Sequence, residues 1–279
     1  MINLLLVLSS LAFAQDVEWS ETEKAAEETE KPEAALSVEF GGSYTFGNSV
    51  FYTVYGNATG SYKWDKNKIG AEAKATVGQS KLDGDGDGVI SDSERGEPFK
   101  PSAERYAAGI RYDRFLSDRD SLYLLAGGFQ DQFAGYDLRT HEQLGYSRLI
   151  VDNERSLGEG DDAVALMTRL VGEVGFDWAQ ENFVEGVDPE SAQIIAGRVM
   201  LGLTHQINAN TSFTNTIEVY ENVQDLEDLR LQNDAALSTK LNGKISFKIS
   251  HSLLFDNVPV DGFRKTDHTT MVTLVASIL

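Results

Sequence analysis

The chain alternates. In residues 37–46, SVEFGGSYTF, Val38, Phe40, Gly42, Tyr44 and Phe46 share one side of an extended strand, and Ser37, Glu39, Gly41, Ser43 and Thr45 share the other. Tyr52, Val54, Ala58, Tyr62 and Trp64 stand opposite Thr53, Asn57, Thr59, Ser61 and Lys63. Ile69, Ala71, Ala73, Ala75 and Val77 alternate with Glu72, Lys74 and Thr76, and Ile245, Phe247, Ile249 and Leu253 alternate with Ser246, Lys248, Ser250 and Ser252. A period of two marks half-buried strands rather than helices. Continued along the chain, the pattern predicts about twelve strands: 37–46, 50–64, 68–79, 104–115, 121–132, 138–151, 164–181, 192–207, 211–222, 230–241, 244–256 and 267–279.

Such strands build either a soluble sandwich, with apolar residues inside, or a membrane barrel, with apolar residues toward lipid and polar ones toward the lumen. The polar faces favour the barrel, because they carry full charges: Arg105, Arg111, Arg169, Glu173, Arg198 and Lys240. Strand length agrees, since a tilted strand needs about ten residues to cross a bilayer. Aromatics near strand ends (Tyr62, Trp64, Phe115, Phe133, Trp178, Phe213 and Phe255) suit interfacial belts. The expected fold is therefore an all-β, antiparallel transmembrane barrel over residues 37–279. WDKN, LSDRD, NANT and LNGK read as tight turns, and 80–103, 182–191, 222–229 and 257–266 as longer connections. Short turns belong to the periplasmic side and long loops to the outside, which puts both termini in the periplasm. The stretch 152–163 is long for a periplasmic turn.

Two segments precede the barrel. Leu4–Phe13 is an apolar run followed by an A-x-A site at Ala12–Ala14, so residues 1–14 read as a secretory signal peptide. Residues 15–36 hold eight acids and two lysines and read as an acidic periplasmic linker. The 279-residue chain has a formal net charge of −20 and no cysteine. That charge argues against nucleic acid as a partner. The missing cysteine removes disulfides, thiolate metal sites and cysteine nucleophiles.

The sharpest chemical signal is DGDGDGVISDSE at 83–94. Asp83, Asp85 and Asp87 occupy positions one, three and five of an EF-hand-like loop, Gly88 position six and Glu94 position twelve. Calcium takes six to eight hard oxygen ligands. Asp83, Asp85, Asp87, the Val89 carbonyl and Glu94 are the expected ligands, and Ser91 would hold a water. The surrounding strands predict no helix pair, so the motif reads as an external loop ordered by calcium rather than a sensor.

No G-x-S-x-G or H-E-x-x-H motif is present, and no catalytic residues are assigned. His205 and His251 fall on apolar faces. His141, with Asp131 and Asp137 near in sequence, and His268, beside Asp267 and among Thr266, Thr269 and Thr270, are the positions from which a lipid-directed hydrolase would assemble its residues. In the lumen, Arg111, Arg169, Glu173, Asp177 and Arg198 would either pair and plug the barrel or line a narrow diffusion channel.

Residues 104–156, ERYAAGIRYDRFLSDRDSLYLLAGGFQDQFAGYDLRTHEQLGYSRLIVDNERS, resemble the salt-induced outer-membrane protein family of bacteria, whose function is unknown. The RYDRFLS turn and the DQFAGYDLRT stretch carry the likeness, which extends over most of 37–279. It implies a barrel in the outer membrane of a Gram-negative envelope, with lipids and the barrel assembly machinery as partners, and it brings no functional residues. The chain departs from the family in its DGDGDGVISDSE insert and in ending on Ile278–Leu279. The expected role is structural or passive.

Overall fold

The structure, a computed structural model, describes residues 33–45, 50–84, 90–157, 164–187, 189–259 and 264–278. The segment 1–32, with the whole expected signal peptide and most of the expected linker, lies outside the described residues.

Twelve strands follow one another: β1 (Glu33–Thr45), β2 (Phe51–Trp64), β3 (Asn67–Ser80), β4 (Lys100–Phe115), β5 (Asp120–Asp131), β6 (Tyr136–Leu157), β7 (Val164–Phe183), β8 (Ser191–Gln206), β9 (Thr211–Asn222), β10 (Leu229–Lys240), β11 (Ile245–Asp256) and β12 (Thr266–Ser277). Each pairs antiparallel with its sequence neighbours, and β12 returns to β1, closing the barrel. The closing ladder runs from Ser37↔Ser277 to Gly41↔Thr273, whereas β1 and β2 pair from Glu33↔Lys63 to Thr45↔Phe51.

Alternation sorts the two faces as the sequence predicts, with apolar residues outside. Phe40 is 67% exposed, and Ile69, Ile110, Leu124 and Val199 also point outward. Their polar neighbours Glu39, Glu72, Arg111, Tyr123 and Arg198 are buried within the barrel. Water would favour the opposite arrangement; a bilayer favours this one.

The short turns owe their form to single residues. Between β2 and β3, Asp65 sits at φ 45°, a left-handed conformation that a short polar side chain tolerates. After β8, the Asn208 side-chain oxygen accepts the backbone N–H groups of Asn210 and Thr211, both at 2.9 Å. Asn242 does the same for Lys244 and Ile245 after β10, again at 2.9 Å. An amide side chain standing in for a backbone acceptor is what makes Asn a turn former.

Three expectations need correction. The barrel begins at Glu33 rather than 37: Ala34, Ala35 and Leu36 pair with Tyr62, Ser61 and Gly60, so the linker's last residues are strand. The expected turn at 152–163 is strand as far as Leu157, and only 158–163 connects β6 to β7, outside the described residues. Phe115 is no belt residue. It is buried in the lumen, with the Lys63 ammonium 5.7 Å from its ring centroid.

Candidate functional site

The lumen holds a relay of buried charges built from four strands. Arg111 on β4 contacts Asp113 at 2.7 Å and Glu173 on β7 at 2.7 Å. Glu173 also accepts from Arg198 on β8 at 2.7 Å, and Arg198 reaches Glu218 on β9 at 2.9 Å. The Tyr220 hydroxyl donates to Glu218 at 2.5 Å. Arg111 and Arg198 are each 1% exposed. Ions this far from water persist only when paired and hydrogen-bonded.

An aromatic ring braces the relay. Tyr123 lies 4.2 Å from the Arg111 guanidinium, and its hydroxyl accepts from Arg198 at 2.7 Å. The ring has room because Gly145 and Gly175, paired on β6 and β7, carry no side chain. A Cβ on Gly145 would stand 2.5 Å from the Tyr123 ring, and one on Gly175 would stand 2.5 Å from the Leu144 carbonyl. Leu149, Val171 and Met200 form a buried apolar cluster on the inner wall of β6–β8.

Further ion pairs cross this half of the interior toward the end with the long connections. Arg230 on β10 pairs with Glu181 on β7, with Asp228 at 2.9 Å and with Asp256 at 3.4 Å. Arg139 meets Glu181 at 3.3 Å, and Arg105 meets Asp131 at 3.2 Å while stacking 3.9 Å from Phe129. At the opposite end, near the β6–β7 connection, Arg169 finds Asp152 at 3.2 Å. The wall formed by β1–β3, β11 and β12 differs. Ion pairs there include Glu72–Lys74 at 2.7 Å within β3 and Glu39–Lys248 at 3.2 Å, which reaches from β1 past β12 to β11. The buried Asn57 amide oxygen and the hydroxyls of Ser250, Ser252 and Thr269 have no hydrogen-bond partner among the described residues, and on the relay half the same holds for Glu218 Oε1, Gln143 Oε1 and Arg105 Nε and Nη2.

The loop between β3 and β4 is partly described. Asp83 and Glu94 are placed; Asp85, Asp87 and Val89 lie outside the described residues. Glu94 folds back on the start of its own loop. One carboxylate oxygen accepts the Gly84 N–H at 2.6 Å, and the other accepts the Ser91 N–H at 2.8 Å and the Ser91 hydroxyl at 2.7 Å. Ser91 caps a single helical turn, α1 (Asp92–Arg95), with Glu94 completing a capping box. The expectation of non-helical flanks thus holds on the β3 side, while the exit side carries one helical turn. Ile90 is buried, and Phe99 packs edge-on against Tyr52, 5.3 Å between centroids. Among the described residues no three Asp, Glu or His side chains gather as a metal cluster.

The histidines divide between the two faces. His141 is buried in the lumen, with Asp177 rather than Asp131 or Asp137 at 3.2 Å from its Nδ1. His205 faces outward, 2.9 Å from the Thr168 hydroxyl. His251 and His268 meet each other on the outward face: His251 Nδ1 lies 2.8 Å from Thr270 Oγ1, and its Nε2 lies 3.4 Å from His268 Nδ1. The hydroxyl and the carboxylate expected around one imidazole are thus found with different histidines on different faces. Sequence reasoning missed the His251–His268 pair, although two histidines on the apolar faces of adjacent strands were its signal.

No curated protein matches this chain. Among solved structures, the NanC porin aligns with a TM-score of 0.50 at 13% identity, over 88% of this chain and all of that one. The COG4313 outer membrane channel from Pseudomonas putida F1 aligns at 0.42 and 12% identity, over 88% of this chain and 95% of that one. At such identities the first likeness is one of fold, a closed antiparallel barrel of the outer-membrane kind. A family model described as protein of unknown function, DUF481, matches residues 38–278, almost the whole barrel, and the chain belongs to that family.

Proposed function

We propose that this chain is an outer-membrane barrel of structural, passive role, with its lumen shut along one half of the wall and an external loop that binds calcium. The carrying observation is the relay Arg111–Glu173–Arg198–Glu218, whose members are buried and joined across the interior. A charged lining left open to a water-filled pore would be hydrated instead. In this reading the outward apolar face meets outer-membrane lipids, the assembly machinery inserts the barrel after the signal peptide is removed, and both termini lie in the periplasm. Purified protein in a planar bilayer should give no stepwise conductance, and steady steps from the folded wild type would refute the shut lumen.

Calcium would be held by Asp83, Asp85, Asp87, the Val89 carbonyl and Glu94. Support comes from the all-oxygen donor set and from Glu94, which reaches back to the loop's second residue. A divalent cation supplies the positive charge that lets these carboxylates crowd together. Extracellular calcium modules bind at about 10⁻⁴–10⁻³ M, which fits a stabiliser rather than a sensor. Calorimetric titration should therefore saturate in the millimolar range, and Glu94→Ala should abolish the heat. A wild type that takes up no calcium at those concentrations would end the proposal.

A second reading, a narrow diffusion channel, is favoured by one observation. Ser250, Ser252, Thr269 and Asn57 present buried oxygens without protein partners on the wall away from the relay. Such groups need water, and a file of water along β11, β12 and β2 is a path for small solutes. The same bilayer recording separates the two readings.

A further inference from the structure

We infer that the barrel associates with copies of itself in rows, through a contact between Glu142 of one copy and the His251–His268 pair of the next. The inference rests on the reading of the outward face as lipid-facing.

Most of the outward surface offers lipid nothing polar between the strand ends: Ala73, Ile110, Leu124, Val174 and Val199 are typical. One sector breaks the pattern. Asn215, Ala235, His251 and Thr270 form one row across β9, β10, β11 and β12, and Asn233, Leu253 and His268 form the neighbouring row. The two Asn side chains turn onto their own wall, Asn215 donating to the Asp234 carbonyl at 3.2 Å and Asn233 to the Thr216 carbonyl at 3.1 Å. The imidazoles form a chain, and the contact requires Thr270 at its donor end. With Thr270 donating to His251 Nδ1, the His251 Nε2–H donates to His268 Nδ1, and the His268 Nε2–H is the donor left over for a neighbour. A donor without an acceptor is costly in hydrocarbon.

The complementary group is on the other side of the barrel. Glu142 is exposed on the outward face of β6, between Ala126 on β5 and Trp178 on β7. It sits between the levels of Tyr136, at the start of β6, and Arg148, which pairs with Asp120 at the opposite end. That places it within the span of the wall, as His251 is placed midway along β11. A carboxylate there also needs a partner. β6 and β12 stand half a turn apart in the ring of strands. Each copy thus carries an acceptor on one side and a donor on the opposite side. A head-to-tail contact through opposite sides does not close on itself and extends into rows in the membrane plane.

The chain has no cysteine, so introduced pairs can be read directly. Glu142→Cys and His268→Cys would be combined in one chain, reconstituted into phosphatidylcholine vesicles and oxidised. A ladder of dimers, trimers and larger species is expected from the double variant, with each single variant staying monomeric. A folded, inserted double variant that stays monomeric would overturn the contact, as would dimers from His268→Cys alone, which would mean a symmetric interface. Failure of the folded wild type to enter vesicles in a protease-protected form would instead sink the lipid-facing reading. As a second measurement, the wild type in mild detergent should run as an oligomer that Glu142→Ala reduces to the monomer mass; a monomeric wild type in inserted vesicles and in detergent alike would also overturn the contact.

Discussion

Glu173→Ala should cost roughly 3–5 kcal/mol of folding stability, the range expected when one member of a buried ion cluster is removed and its partners stay charged. Glu173 is the hinge of the relay: it serves Arg111 and Arg198 at once, each at 2.7 Å. Its loss leaves two guanidinium groups, both 1% exposed, sharing Asp113, Glu218 and the Tyr123 hydroxyl. Urea unfolding in vesicles, followed by the three tryptophans, would measure the change. A triple variant, Arg111→Met, Glu173→Leu and Arg198→Met, should recover most of the loss, because a well-packed apolar set needs no compensation. A Glu173→Ala protein as stable as the wild type would mean that water reaches the relay and that the lumen is open there.

The second large effect belongs to the outward face. Phe176 is 65% exposed on β7, between the inward Gly175 and Asp177. Phe176→Arg should cost about 2–4 kcal/mol, the penalty for a cation on the lipid side near the bilayer midplane. Gln180 shares that face nearer the strand end, so Gln180→Arg should cost about 0–1 kcal/mol, because the penalty fades toward the interface. The gradient is the informative quantity. Equal and small costs at both positions would mean that the face meets water or detergent-like surroundings rather than a bilayer.

The strands were legible because charge, not only polarity, alternated with apolar residues, and each face is uniform over ten or more positions. The departures from this pattern are local. Glu33–Leu36 shares its Ala- and Glu-rich composition with the segment before it, and only its pairing with β2 makes it strand. At Asp152 the parity itself changes. A bulge between Leu149 and Val151 shifts the register, so Leu149 and Asp152 both face inward, and Asp152 reaches Arg169. A reader following strict alternation loses the strand at that step. Phe115 lies near a strand end, where a belt residue would sit, but the face it shares with Arg111 and Asp113 decides and turns it inward.

The candidate site was legible in kind but not in connection. Arg111, Glu173 and Arg198 stood out as charges on strand faces, yet which would meet which depends on register across strands far apart in sequence. Spacing alone carries the loop motif, and the S-x-x-E spacing of Ser91 and Glu94 also encodes the capping box that the calcium-loop pattern conceals. The histidine pair on β11 and β12 follows from the same register and from no motif.

The ladder from Ser37↔Ser277 to Gly41↔Thr273 has a kinetic meaning. Every other pairing joins strands adjacent in sequence and can zip from its own turn. This one must bring together the two extremes of the barrel, and the entropy of closing that long loop is met before the ladder returns anything. By contact-order reasoning the β1–β12 seam is expected to form last and to set the folding rate. Substitutions at Gly41 or Thr273 should therefore slow barrel closure in a refolding time course while leaving the pairings that zip from a turn unchanged.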